Sequence, residues 1–140
     1  MRINANFSKR VVVRPEEYDW VNSPSNGVDR MMLDRIGEEV ARATTIVRFA
    51  ANSNYDAHTH GGGEEYLVLD GVFSDESGDY GVGFYVRNPI GTSHKPHTKD
   101  GATILVKLHQ FAEDDTEQKV INTKSEAFRP GLVQGLSVLP

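Results

Sequence analysis

The stretch His58-Thr59-His60-Gly61-Gly62-Gly63-Glu64 decides how this 140-residue chain is read. Side chains along an extended strand alternate between its two faces, so His58 and His60 share one face. Glu64, four positions after His60, keeps that parity, and a strand continued through it carries all three side chains on one side. Glu65 has the opposite parity. Two imidazoles and a carboxylate converging from one strand make a facial ligand set for a divalent ion. Further along, Gly83-Phe84-Tyr85-Val86-Arg87-Asn88-Pro89-Ile90-Gly91-Thr92-Ser93-His94 supplies a fourth candidate, His94, behind a Pro-x-Gly turn. The rest of the chain reads as the barrel that holds these four side chains together.

Strand signals surround the two stretches. Val28 to Leu33 reads as a strand that ends in a turn near Arg35-Ile36-Gly37. Ala43-Thr44-Thr45-Ile46-Val47-Arg48-Phe49 is rich in β-branched and aromatic residues, which favours strand over the helical reading of the same apolar positions. Glu65 to Asp70 is a buried strand. Val72-Phe73-Ser74 and Tyr80 to Val86 form a hairpin through the polar loop 75–79. Ala102 to Leu108 is a further strong strand, with weaker ones at Lys119 to Ile121 and Gly135 to Leu139. Many short strands, frequent glycine turns and no clear amphipathic helix predict an all-β barrel or jelly roll.

The length fits one domain, residues 1–140: an N-terminal arm (1–27), a barrel carrying both histidine stretches (28–111) and a C-terminal tail (112–140). Trp20 is the arm's expected anchor, either on the barrel or on a partner subunit. Jelly rolls leave sheet edges that such an arm covers by pairing across subunits, so a homodimer is expected. The net charge of -5, with lysines and arginines scattered singly, argues against a nucleic-acid groove or a polybasic membrane patch. No run is apolar enough to span a bilayer and no secretory signal opens the chain, so a cytoplasmic location is expected. The sequence has no cysteine, which leaves nitrogen and oxygen as the metal donors.

His58, His60, Glu64 and Gly71, followed by Gly83, Pro89, Gly91 and His94, resemble the two sequence motifs of the cupin superfamily at their spacing. An asparagine commonly stands four residues after the last histidine; here that position is Thr98. Within cupins, the phrases at 39–44, 58–65, 86–89 and 106–108 resemble the ChrR-like group. The resemblance runs from Gly27 to Phe111. It implies a cupin double-stranded β-helix holding one divalent metal ion per chain through His58, His60, Glu64 and His94.

Three histidines and a glutamate suit Fe2+ or Zn2+, and also Mn2+ or Ni2+. An octahedral ion with four protein ligands keeps two positions open for a small bidentate molecule. Cupins similar to this one include dioxygenases that cleave acetylacetone and 2,4'-dihydroxyacetophenone. The resemblance therefore implies a metal-dependent oxidoreductase cleaving a carbon–carbon bond in a small diketone or hydroxyketone. The acetylacetone-cleaving type is held by three histidines, and Glu64 departs from it. The alternative is a non-enzymatic zinc-binding sensor or ligand-binding module, related to the cupin half of ChrR-type anti-sigma factors. In those proteins a helical N-terminal domain with a cysteine-containing zinc site grips the sigma factor; the 57 residues before His58 carry no such pattern. An isomerase or hydrolase ranks below both.

Tyr66 and Val68 share the parity of Glu64 and are candidates to line a small-molecule pocket, together with Tyr85, Arg87 and His97. Each has a plainer reading. Aromatic residues in strands are more often core, Arg87 equally suits a surface ion pair, and His97 suits a solvated loop. His109 reads as structural. The three glycines at 61–63 let the chain bend where a side chain would crowd the metal. They belong to no lipase oxyanion loop, since no Gly-x-Ser-x-Gly elbow follows, and to no phosphate loop.

Overall fold

The computed structural model of the chain describes residues 1–38, 40–54, 58, 59 and 61–125, with backbone alone at 54, 58 and 59. Its strands are β1 (Arg2–Ile3), β2 (Val21–Asn22), β3 (Val28–Gly37), β4 (Ala41–Phe49), β5 (Ser53–Asn54), β6 (His58–Thr59), β7 (Glu64–Asp75), β8 (Gly78–Gly81), β9 (Phe84–Asn88), β10 (Ser93–His94), β11 (His97–Thr98), β12 (Ala102–Leu108) and β13 (Lys119–Asn122). One short 3-10 turn, Pro15–Glu17, interrupts the arm. Among the described residues no helix is long and apolar enough to cross a membrane.

The all-β expectation holds. The main sheet runs β1-β3-β4-β12-β7-β11-β5, with β9 and β8 also on β7, β13 on β9 and β2 on β3; β6 and β10 form a separate two-stranded ladder. Among the described residues the sheet path stays open and does not close into a ring.

β7 is the strand both halves share. Its first part, from Glu64, pairs with β12 and β9, and its second part, Val72 to Asp75, pairs with β8. Between them the register against β12 slips, so that Leu69 is skipped, and Gly71 takes a φ of +72°. A skipped residue and a left-handed glycine bend the strand.

The strand faces follow from side-chain type. Along β4, Ala41, Ala43, Thr45 and Val47 are buried while Arg42 and Arg48 are exposed. On β7 the inward set is Glu64, Tyr66 and Val68, opposite Asn88 and Val86 of β9. Val47, Phe73, Tyr80, Ile104 and Val106 complete the hydrophobic core with Tyr66 and Val68. Phe73 meets Tyr66 edge-on at 5.3 Å and lies 4.8 Å from Phe49. Each such side chain contributes roughly 1.5–3 kcal/mol by leaving water.

Several local expectations change. The turn near Arg35-Ile36-Gly37 is strand: β3 continues to Gly37, and Arg35 is buried and donates to the Glu38 carbonyl. A bulge at Leu33, rather than a turn, absorbs the irregularity. The hairpin at 72–86 is shorter than read. The hairpin pairs Val72–Asp75 with Gly78–Gly81 alone, around the two residues Glu76 and Ser77, while Ser74 also pairs with His97 of β11; the Asp75 carboxylate accepts from the Ser77 N–H at 2.8 Å and closes the turn early. Gly83, at φ +92°, then redirects the chain so that β9 pairs with the start of β7.

The arm pairs with β3 of its own chain through β1 and β2. The Met1 ammonium reaches Glu38 at 2.5 Å, and Arg48 stacks on Trp20 at 4.0 Å. The strand expected at Gly135 to Leu139 lies outside the described residues.

A methyl group at Gly71 would run into the Gly101 carbonyl and sit 3.0 Å from the Ala102 Cα, at a φ that L residues avoid. Gly71→Ala is expected to cost about 2–4 kcal/mol, clash and left-handed strain together. Urea denaturation checks it; a loss under about 0.5 kcal/mol would show that the bend is soft.

Candidate metal centre

Pro89 to Thr92 forms the expected turn: Thr92 donates to the Pro89 carbonyl through its N–H at 3.1 Å and its hydroxyl at 2.6 Å, and Gly91 has φ +85°. The chain leaves this turn into β10. There His94 is the register partner of His58, and Ser93 that of Thr59. The buried His94 ring places Nε2 3.4 Å from Oε2 of Glu64 and Nδ1 3.2 Å from Oδ2 of Asp75. Asn88, the cross-strand partner of Glu64, donates to the same Oε2 at 3.1 Å, and its own carbonyl accepts from Gln118 at 3.3 Å.

The strand carrying His58 does not run on into Glu64. β6 ends at Thr59 and β7 begins at Glu64, with a bend at 61–63 and φ +82° at Gly63. His58 and Glu64 therefore do not share one strand: His58 pairs with His94 in the β6–β10 ladder, and Glu64 opens β7. His60 lies outside the described residues. Among the described residues no three His, Asp or Glu side chains gather around one point.

The glycines have a steric reason of their own. A Cβ on Gly62 would fall 2.7 Å from the Cα of His109, and one on Gly63 2.5 Å from the ring of Phe111. His109 itself has φ +56° and donates its N–H to the Gly63 carbonyl at 3.1 Å. The structural role read for His109 is thus specific: it packs against the loop between the two candidate ligand strands.

The donor chemistry of the described pair fits a cation. A carboxylate can only accept, so the bond to Asp75 requires a proton on Nδ1. A neutral ring then turns its Nε2 lone pair toward an oxygen of Glu64. Two acceptors facing one another at 3.4 Å need a proton or a metal ion between them.

The pocket candidates divide between faces. Tyr66 and Val68 are buried on the inner face, in the core cluster. Burial pushes the Tyr66 phenol well above the usual tyrosine range, and the carboxylates of Glu64 and Asp75 push it further. Tyr85 and Arg87 are register partners of Leu67 and Glu65, on the opposite face. There the Tyr85 hydroxyl donates to Glu65 at 2.6 Å and accepts from Arg87 at 3.3 Å. His97 is exposed; its neighbour Thr98 is buried, donates to the Val72 carbonyl at 2.7 Å and accepts from the Gly101 N–H at 3.1 Å.

Asp75 went unread in the sequence. It stands in an ordinary Asp-Glu-Ser-Gly turn signal, and only the bend of β7 brings that turn to His94.

The all-β sheet order, the bend of β7 at Gly71 and the Glu64–His94 contact are compatible with a cupin. The family model of the ChrR cupin-like domain matches residues 8–112, and the chain belongs to that family. A chain in the crystal structure of Rhodobacter sphaeroides SigE with the anti-sigma ChrR is similar at 25% identity and a TM-score of 0.57, over 68% of this chain and 51% of that one. This chain thus spans about half of that relative's length. An acetylacetone dioxygenase from Acinetobacter johnsonii is similar at 18% identity and a TM-score of 0.57, over 81% and 84% of the two chains. An RmlC-like cupin from Ralstonia eutropha reaches a TM-score of 0.62 at 15% identity, over 84% and 83%. The last two likenesses concern the fold alone. No curated protein matches the sequence.

The raised Tyr66 phenol gives a pH signature. The unfolded chain releases this proton near the ordinary tyrosine value, about 10, whereas the folded chain keeps it to higher pH. Its contribution to stability is complete below that value and is lost as pH rises above it. Urea midpoints measured from mildly to strongly alkaline pH are expected to fall less steeply in Tyr66→Phe; identical slopes would remove Tyr66 as the source.

Proposed function

We propose that this cupin is a divalent-metal-dependent protein whose ligands are His58, His60, Glu64 and His94. We further propose that it cleaves a carbon–carbon bond of a small β-diketone or hydroxyketone with dioxygen. One observation carries the metal reading: a buried imidazole whose Nδ1 is held by Asp75 aims Nε2 at the Glu64 carboxylate. Support for His58 comes from its register opposite His94, since partners across an antiparallel ladder stand close together.

A divalent ion held by these residues would supply Lewis acidity to oxygen atoms of a small ligand. The protein's own groups do the rest. Asn88 keeps Glu64 aimed at His94, and Tyr66, kept protonated by its surroundings, is a donor for an oxygen of the ligand. The apolar floor of Val68, Phe73 and Ile104 limits water beneath them. In the reaction proposed, dioxygen is the oxidant and each fragment of the broken bond keeps one of its oxygen atoms.

A second reading has its own support. Membership of the ChrR cupin-like family and the 25% identity to a chain of the SigE–ChrR complex favour a non-enzymatic zinc-binding module. Oxygen uptake separates the two. Metal-free protein, reloaded with Fe(II) without air, is offered β-diketones and hydroxyacetophenones. Uptake that needs substrate and iron, and that drops at least 100-fold in His94→Ala, is the expected result. Full iron loading without uptake would sink the oxygenase and leave the zinc module.

A further inference from the structure

We infer that Asp75 is a positioning residue that holds a proton on Nδ1 of His94 and so directs Nε2, the nitrogen that faces Glu64, to the metal position; this rests on the metal reading above. The Asp75 side chain is 7% exposed and the His94 side chain 5%, with Oδ2 and Nδ1 3.2 Å apart. The other carboxylate oxygen accepts from the Ser77 N–H at 2.8 Å, which locks the aspartate in its own turn. The next residue holds the backbone as well: Glu76 Oε2 accepts from the N–H of Lys95 at 2.9 Å. The hairpin tip therefore grips the histidine by its ring and by the peptide that follows it.

Partners of this kind set which ring nitrogen is protonated and raise the basicity of the other. The amide analogue makes the role separable from folding. In Asp75→Asn the side-chain oxygen still accepts from Ser77, so the turn survives and the amide nitrogen faces Nδ1. An amide nitrogen only donates, so Nδ1 becomes the acceptor and the proton moves to Nε2. That N–H points at Glu64, a favourable bond for the metal-free fold, but it blocks the metal position.

The test compares wild type with Asp75→Asn as metal-free proteins at mildly alkaline pH, by long-range 1H–15N correlation of the imidazoles. Zn(II) affinity is then measured by chelator competition, and stability by urea. The expected result is Nδ1–H in wild type, Nε2–H in the variant, an unchanged urea midpoint without metal, and zinc affinity about 10–100-fold lower in the variant. A wild-type ring protonated at Nε2 alone overturns the inference whatever the variant does, whereas a ring protonated at both nitrogens still carries the Nδ1 proton and supports it. Zinc binding equal in both proteins overturns the role of Asp75 alone, whereas no zinc binding by wild type overturns the metal reading beneath it.

Discussion

A buried carboxylate facing a buried imidazole is the contact on which the arrangement depends. Removing an ionisable group from water costs several kcal/mol unless a partner compensates it. Glu64 opens the central strand of the large sheet, and His94 sits in a ladder separate from it. Their meeting fixes where that ladder lies. Asn88, aligned with Glu64 by register, and Asp75, at the far end of the same strand, hold the pair from its two sides. One strand therefore supplies both a candidate ligand and the group that orients its partner, because the bend at Gly71 returns its end toward its beginning.

Much of this was legible in the sequence. The strand character of 43–49 and 102–108 followed from β-branched and aromatic residues, and the Pro-x-Gly turn before His94 from the chemistry of those two residues. The spacing of the histidines, glutamate and glycines identified the cupin resemblance. What misled was parity carried across Gly61-Gly62-Gly63. Period-two alternation holds only while the chain stays extended, and His58 and Glu64 belong to different ladders. Glu64 is nevertheless the inward residue of its own strand, which parity alone did not establish.

The pocket candidates show the same boundary. Tyr66 and Val68 could be placed relative to Glu64 because they lie on one unbroken run. Tyr85 and Arg87 had no such reference, since the register of β9 against β7 is a long-range fact. With Leu67 opposite Tyr85, both face away from the core, into a cluster with Glu65. Asp75 is the converse case, a residue with only a turn's signature whose partner comes 19 positions later and on another ladder.

The tip of that hairpin looks, by position, like a place where a chain tolerates change: a two-residue exposed connection that belongs to neither histidine stretch. Exposed loop tips are ordinarily where insertions accumulate. Here the Asp75 carboxylate is aimed by a bond to Ser77, and Glu76 is spent on the peptide after His94. An added residue would release both at once. Under the proposed metal reading, the site constrains the length of this loop, and drift in it would remove the site while leaving every proposed ligand in the sequence.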